Sequence, residues 1–166
     1  MVRRDKPLVL VVSPPCTVFS IANQGDVPPL IKAQAIDIIR FSMELCELQR
    51  RAGRHFIFEQ PLTSRAWDLA SMKSMVSSKG AISTKFNQCM YGLESCDSLG
   101  RAPAYKPTRI LTNHGALAEG LCRTCNGGHS HVQLVVIQLC SHAARYLDGV
   151  MPSCGNRSGG DQEGRT

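Results

Sequence analysis

The sequence predicts an α/β fold in which helices flank a mainly parallel sheet. Three observations carry that expectation. Two short apolar runs, PLVLVV at 7–12 and HFIFE at 55–59, are each closed by proline, the form a strand takes when both of its faces are buried. A stretch of helical periodicity, long enough to cross from one parallel strand to the next, separates them. A second helical stretch and a weaker third run at 81–86 repeat the alternation of strand and helix.

Taken in order, the first strand ends at Ser13-Pro14-Pro15, and 17–29 is a loop of Asn, Gln, Gly, Asp and Pro. The helix over 30–52 places Leu30, Ile31, Ala35, Ile38, Ile39, Leu45 and Leu48 at helical spacing, with Gly53 as its stop. The second helix, 64–77, has Ser64 as N-cap and Gly80 beyond its end, and Trp67 is expected to pack it onto the sheet. Past Cys89 the signals thin. Residues 92–104 suggest a loop, 107–112 a strand, 115–122 a helix, 132–139 a strand and 141–147 a helix. The polar, Gly-rich end at 151–166 is expected to be a disordered tail, leaving 1–150 as one domain.

Composition narrows the function classes. A hydrophobic fraction of 43% against 19% charged excludes disorder as the dominant state. The formal net charge of +6 suits a polyanionic partner, nucleic acid above all. The longest apolar run, 8–12, is far too short to span a bilayer, so no membrane partner is expected. The basic start at Arg3-Arg4 is followed by no small-residue cleavage site, so an intracellular chain is expected. In a reducing compartment its 8 cysteines are mostly small buried hydrophobes, with a few ligands or nucleophiles among them.

Chemistry concentrates at two strand ends. The first strand runs into Ser13-Pro14-Pro15-Cys16-Thr17-Val18-Phe19-Ser20, the second into Glu59-Gln60-Pro61. In an open parallel sheet ligands sit at the carboxyl ends of strands, so neighbouring strands would bring a cysteine and a carboxylate to one crevice. The paired prolines hold the cysteine loop stiff and extended.

This ordered pair of motifs resembles the DNA (cytosine-5) methyltransferases, with SPPCTVFS standing for the family's proline-cysteine loop and FEQP for its glutamate motif. Asn87-Gln88-Cys89-Met90-Tyr91-Gly92 and Lys106-Pro107-Thr108 resemble segments of phage-type and retroelement-encoded relatives, so the likeness extends over roughly 7–147. It implies a partial Rossmann-like, methyltransferase-type sheet, with Cys16 as nucleophile and Glu59 as catalytic acid. Pro15, Ser20, Gln88 and Arg101 would lie on the substrate side. It also implies S-adenosylmethionine as cofactor and DNA as partner. The chain departs from the pattern at Ser13, Thr17 and Gln60, which stand for Gly, Gln and Asn. The glycine-rich strand-turn that binds the methyl donor has no counterpart among these residues. The expectation is therefore a catalytic half, inactive alone, whose cofactor half comes from a partner chain or a polyprotein.

The chemistry explains the residue types. Carbon 6 of cytosine accepts a thiolate when an acid protonates ring N3, and addition turns C5 into a nucleophile. The base must be flipped out or single-stranded to reach such a pocket. Two other readings stand beside this one. The chain can be a non-catalytic remnant of a mobile-element polyprotein that keeps nucleic-acid binding. It can also be a small zinc module on Cys122, Cys125, His129 and His131, since Cys-x-x-Cys with two nearby histidines supplies tetrahedral ligands.

Overall fold

The computed structural model describes residues 2–21 and 27–134. In chain order its strands are β1 (Val9–Val12), β2 (His55–Pro61), β3 (Ile82–Asn87), β4 (Glu94–Asp97), β5 (Gly100–Tyr105), β6 (Pro107–Thr112) and β7 (Val132–Gln133). The helices are α1 (Val2–Asp5), α2 (Pro29–Arg51), α3 (Ala70–Val76) and α4 (Gly115–Gly120). They group into two compact units, Met1–Asn87 with Pro107–Thr124, and Gln88–Lys106 with Cys125–Thr166.

The first unit holds a four-stranded sheet ordered β1-β2-β6-β3. β1 and β2 are adjacent and parallel, as expected, with Val9 opposite His55 and Val12 opposite Phe58. The expectation of a mainly parallel sheet needs correcting. β6 is antiparallel to β2 and to β3, which makes the sheet mixed, with one parallel pair. The reason lies in the connection. Pro107 pairs with Asn87, so the chain leaves the sheet after β3 and rejoins it opposite the same point. With no crossover helix to carry it back to the start, β6 must run the other way. Because β2 and β3 both oppose β6, the three strands expected from the first half of the sequence still share one direction.

α2 begins on Pro29, whose missing N–H costs nothing in a first turn, and ends with Arg50 and Arg51 at the negative end of the helix dipole. Its buried face is Ile39, Ser42, Met43, Cys46 and Gln49. Leu30, Ile31 and Ile38, expected on the apolar face, are exposed. The 23-residue helix is about 35 Å long, whereas four residues of β1 span about 13 Å, so its first turns outrun the strand beneath them. The core joins α2 and α3 to Phe56, Phe58 and Leu111 of the sheet, with Phe19 and Trp67 from the connecting turns.

The helix expected over 64–77 is split. Ser64 does cap it, accepting the Ala66 N–H at 3.2 Å, but the cap opens a 3-10 turn, Arg65–Asp68, and extended Leu69 precedes α3. Trp67 lies in that turn. Its Nε1 donates to the Pro61 carbonyl at 2.9 Å and its ring meets Phe58 edge-to-face at 5.7 Å. The Arg109 guanidinium sits 4.5 Å from the indole centroid. Three partners thus fix the indole against the sheet, as its sequence position suggested.

The second unit contains a three-stranded sheet ordered β4-β5-β7. The loop expected over 92–104 is instead the β4–β5 hairpin, closed where the Leu99 N–H donates to Asp97 Oδ1 and Gly100 takes a left-handed φ of 110°. β7 adds parallel to β5, with Ala104 opposite Val132. Among the described residues its buried apolar side chains are Cys89, Ala102, Ala104 and Val132. The remainder of the strand expected over 132–139, the helix over 141–147 and the tail at 151–166 lie outside the described residues. No described helix is long and apolar enough to cross a membrane.

Candidate functional site

In the first unit, β1 leads into Ser13-Pro14-Pro15 and then into a 3-10 turn, Thr17–Phe19, with Cys16 at its cap. The Phe19 N–H donates to the Cys16 carbonyl at 3.0 Å, and the Phe19 ring is buried in the core, so the aromatic after the cysteine anchors the loop. Cys16 and Ser20 are half-buried and Pro15 is exposed. Glu59 lies one residue beyond Phe58, the last β2 residue paired with β1, and is half-buried opposite Ile110 of β6.

Gln60 does what sequence reasoning missed. It is fully buried; its Nε2 donates to the Pro14 carbonyl at 2.6 Å and its Oε1 accepts from the Ser64 hydroxyl at 3.1 Å. One side chain thus ties the turn after β1 to the turn after β2. The signal was present: Gln60 alternates with Glu59 on a strand whose even positions, Phe56 and Phe58, are core.

Gln88 and Arg101 do not belong to this unit. Gln88 opens the 3-10 turn Gln88–Tyr91 in the second unit, where its N–H donates to the Lys106 carbonyl at 3.2 Å. Arg101 is exposed on β5, with Nη1 3.7 Å from Glu94 Oε2. A cavity of about 160 Å³ lies between the first turn and α2, lined by Pro15, Thr17, Val18, Ile31, Gln34, Ala35 and Ile38. The basic cluster at the end of α2 is held within its own unit. Arg50 and Arg51 both bind Glu47 at 2.7 Å, and these hydrogen bonds push its carboxyl down to about 2. Arg54 donates to Gln49 Oε1 at 2.7 Å.

The described residues do not fit the methyl donor. The turns leaving β1 and β2, 13–16 and 62–64, contain no glycine, and the connection from β3 to β4 holds the single Gly92 in the second unit, so no glycine-rich strand-turn stands among the described residues of the first unit.

The second unit gathers a different set. The ligand atoms of Cys89, Cys125, His129 and His131 all lie within 4.8 Å of one another. Cys125 Sγ is 3.6 Å from His129 Nε2 and 3.5 Å from His131 Nε2. Burial, with Cys125 alongside, pushes the Cys89 thiol up, and burial next to His129 pushes the His131 imidazole down. The ligand set expected from sequence is corrected at one position: Cys122 is not in the group, being exposed with its thiol donating to the Glu119 carbonyl at 3.0 Å. Cys89, 36 residues ahead of Cys125, takes its place, a separation that no local motif could reveal.

No family model, curated protein or solved structure matches the chain. The class that fold and geometry define is an α/β chain with a mixed sheet. It carries a proline-cysteine loop at one strand end and a separate Cys/His cluster.

Proposed function

We propose that the first unit is the base-handling half of a DNA cytosine-5 methyltransferase, with Cys16 as nucleophile and Glu59 as acid. One observation carries the reading: β1 and β2 are adjacent and parallel, so both motifs leave the same end of the sheet, where ligands of such sheets bind. The anchoring of the cysteine loop by Phe19 and Gln60 supports it, because a nucleophile must be held in place to attack. The +6 charge supports a nucleic-acid substrate.

In this reading the Cys16 thiolate forms a bond to C6 of an unstacked cytosine. The C5–C6 π pair moves into the ring as N3 takes the Glu59 proton. Reversal expels the thiolate and returns the proton. Methyl transfer itself requires a donor site that these residues do not form, so the chain alone adds to the base without methylating it.

The test uses a single-stranded oligonucleotide with pyrimidin-2-one in place of one cytosine. Loss of the electron-donating 4-amino group makes C6 electrophilic enough to add a thiolate without methyl transfer. Mass spectrometry should find a single adduct on Cys16, absent in Cys16→Ser and formed at least ~10-fold more slowly in Glu59→Gln. Absence of an adduct, or equal labelling of exposed Cys122, would overturn the reading.

A further inference from the structure

We infer that Cys89, Cys125, His129 and His131 form a closed tetrahedral zinc site that holds the second unit together. It lies in a different unit from Cys16 and Glu59 and does not depend on the methyltransferase reading.

The geometry meets the requirements of the ion. Zinc binds sulfur at about 2.3 Å and imidazole nitrogen at about 2.0–2.1 Å, so the sulfur–nitrogen edge of a tetrahedron is about 3.6 Å. The two distances from Cys125 Sγ, 3.6 and 3.5 Å, have that value. All four ligand atoms fall within the 4.8 Å that one ion can draw together. Both contacts have the length of a ligand–ligand edge, and the Gly127 N–H, donating to Cys125 Sγ at 3.3 Å, suits a ligating thiolate.

Local sequence builds the cluster. Cys89 comes from the 3-10 turn that opens the unit, and Cys125 stands at the entry of its second segment. Gly127, at a φ of 81°, turns the chain between Cys125 and the histidines. The Tyr105 ring, 5.2 Å from that of His131, fixes the second imidazole from β5.

An independent observation says why a metal is wanted. The apolar core of Phe19, Phe56, Phe58, Trp67, Met72 and Leu111 lies entirely in the first unit. In the second, the buried apolar side chains among the described residues are two alanines, one valine and Cys89 itself. The described part of this unit buries little apolar surface, and metal ligation is a source of stability that its side chains offer. Two thiolates and two imidazoles select zinc over the hard cations, and four protein ligands leave no open position, so the site is structural. Binding releases the two thiol protons.

The experiment is metal analysis of the full chain, followed by replacement of the bound ion with Co²⁺. One ion per chain is expected, with the visible bands of tetrahedral cobalt and charge-transfer absorption from two thiolates. Cys89→Ser should weaken Co²⁺ binding at least ~100-fold, while Cys122→Ser binds as wild type. Chelation should expose 88–106 and 125–134 to protease and leave β1, β2 and β6 protected. A chain that binds no Co²⁺, a spectrum with one thiolate or none, or loss of binding in Cys122→Ser but not in Cys89→Ser would overturn the inference. The wild-type spectrum decides the matter even if the Cys89 variant does not fold.

Discussion

The two units put the same residue to opposite uses. In the first, Cys46 of α2 is fully buried in an apolar core, and burial pushes its thiol up to about 12, so at neutral pH it is an inert hydrophobe. In the second, Cys89 and Cys125 face imidazole nitrogens, and the described residues around them bury few apolar side chains. The difference teaches that a cysteine's neighbours, rather than its frequency, decide its part. Aromatic and aliphatic packing makes a thiol filler, whereas neighbouring histidines suit it to be a ligand.

Three substitutions probe the first side of that contrast. Phe58 is fully buried and carries the Trp67 contact, so Phe58→Ala should destabilise the first unit by about 3–5 kcal/mol. Trp67 fluorescence during denaturant unfolding measures this. The Co²⁺ spectrum of the second unit should persist at denaturant concentrations below the new midpoint; its loss there would mean that the apolar core supports both units.

Gln60→Ala leaves the Pro14 carbonyl without the amide that binds it and should cost about 1–3 kcal/mol. It should also free the proline-cysteine loop, so that iodoacetamide alkylates half-buried Cys16 several-fold faster while Cys46 stays unlabelled. An unchanged Cys16 rate would show that Phe19 alone holds the loop.

Glu47→Gln has the smallest expected effect. With a folded pKa of about 2 against an ordinary 4.5, this carboxylate stabilises the fold above pH 4.5, and the contribution disappears as pH falls toward 2. The pairs are partly exposed, so the variant should lose at most about 1 kcal/mol at pH 7. Stability curves of wild type and variant should converge near pH 2, and curves that stay parallel down to that pH would refute the assignment.

The sequence made the first unit legible because its signals are local. Apolar runs ended by proline mark β1 and β2, helical periodicity marks α2, and Trp67 and Ser64 sit where the notation of cap and core puts them. What escaped depends on partners distant in sequence. Nothing near Pro107–Thr112 says that it inserts between β2 and β3. The hairpin at Glu94–Asp97 and Gly100–Tyr105 lacks the large apolar side chains that mark a core strand, its buried positions on β5 being Ala102 and Ala104. Of the cluster, Cys125, His129 and His131 were visible as a local motif, but their fourth member belongs to a turn 36 residues earlier, and neighbouring Cys122 stood in for it.

The insertion of β6 also dictates an order of events during synthesis. Among the described residues β3 has β6 as its one strand neighbour, and β2 is flanked by β6 on the side away from β1. A nascent chain that has emerged only as far as Lys106 therefore holds the β1–β2 pair and a β3 with nothing to join. The six residues of Pro107–Thr112 then complete two strand pairings at once. A chain stopped before Pro107 lacks the keystone of its sheet, whereas one that reaches Asn113 also gains the side chain that binds the Arg54 carbonyl and the Phe56 N–H. Release from the ribosome marks a sharp boundary for this fold, and truncations on either side of β6 should differ in solubility more than their lengths suggest.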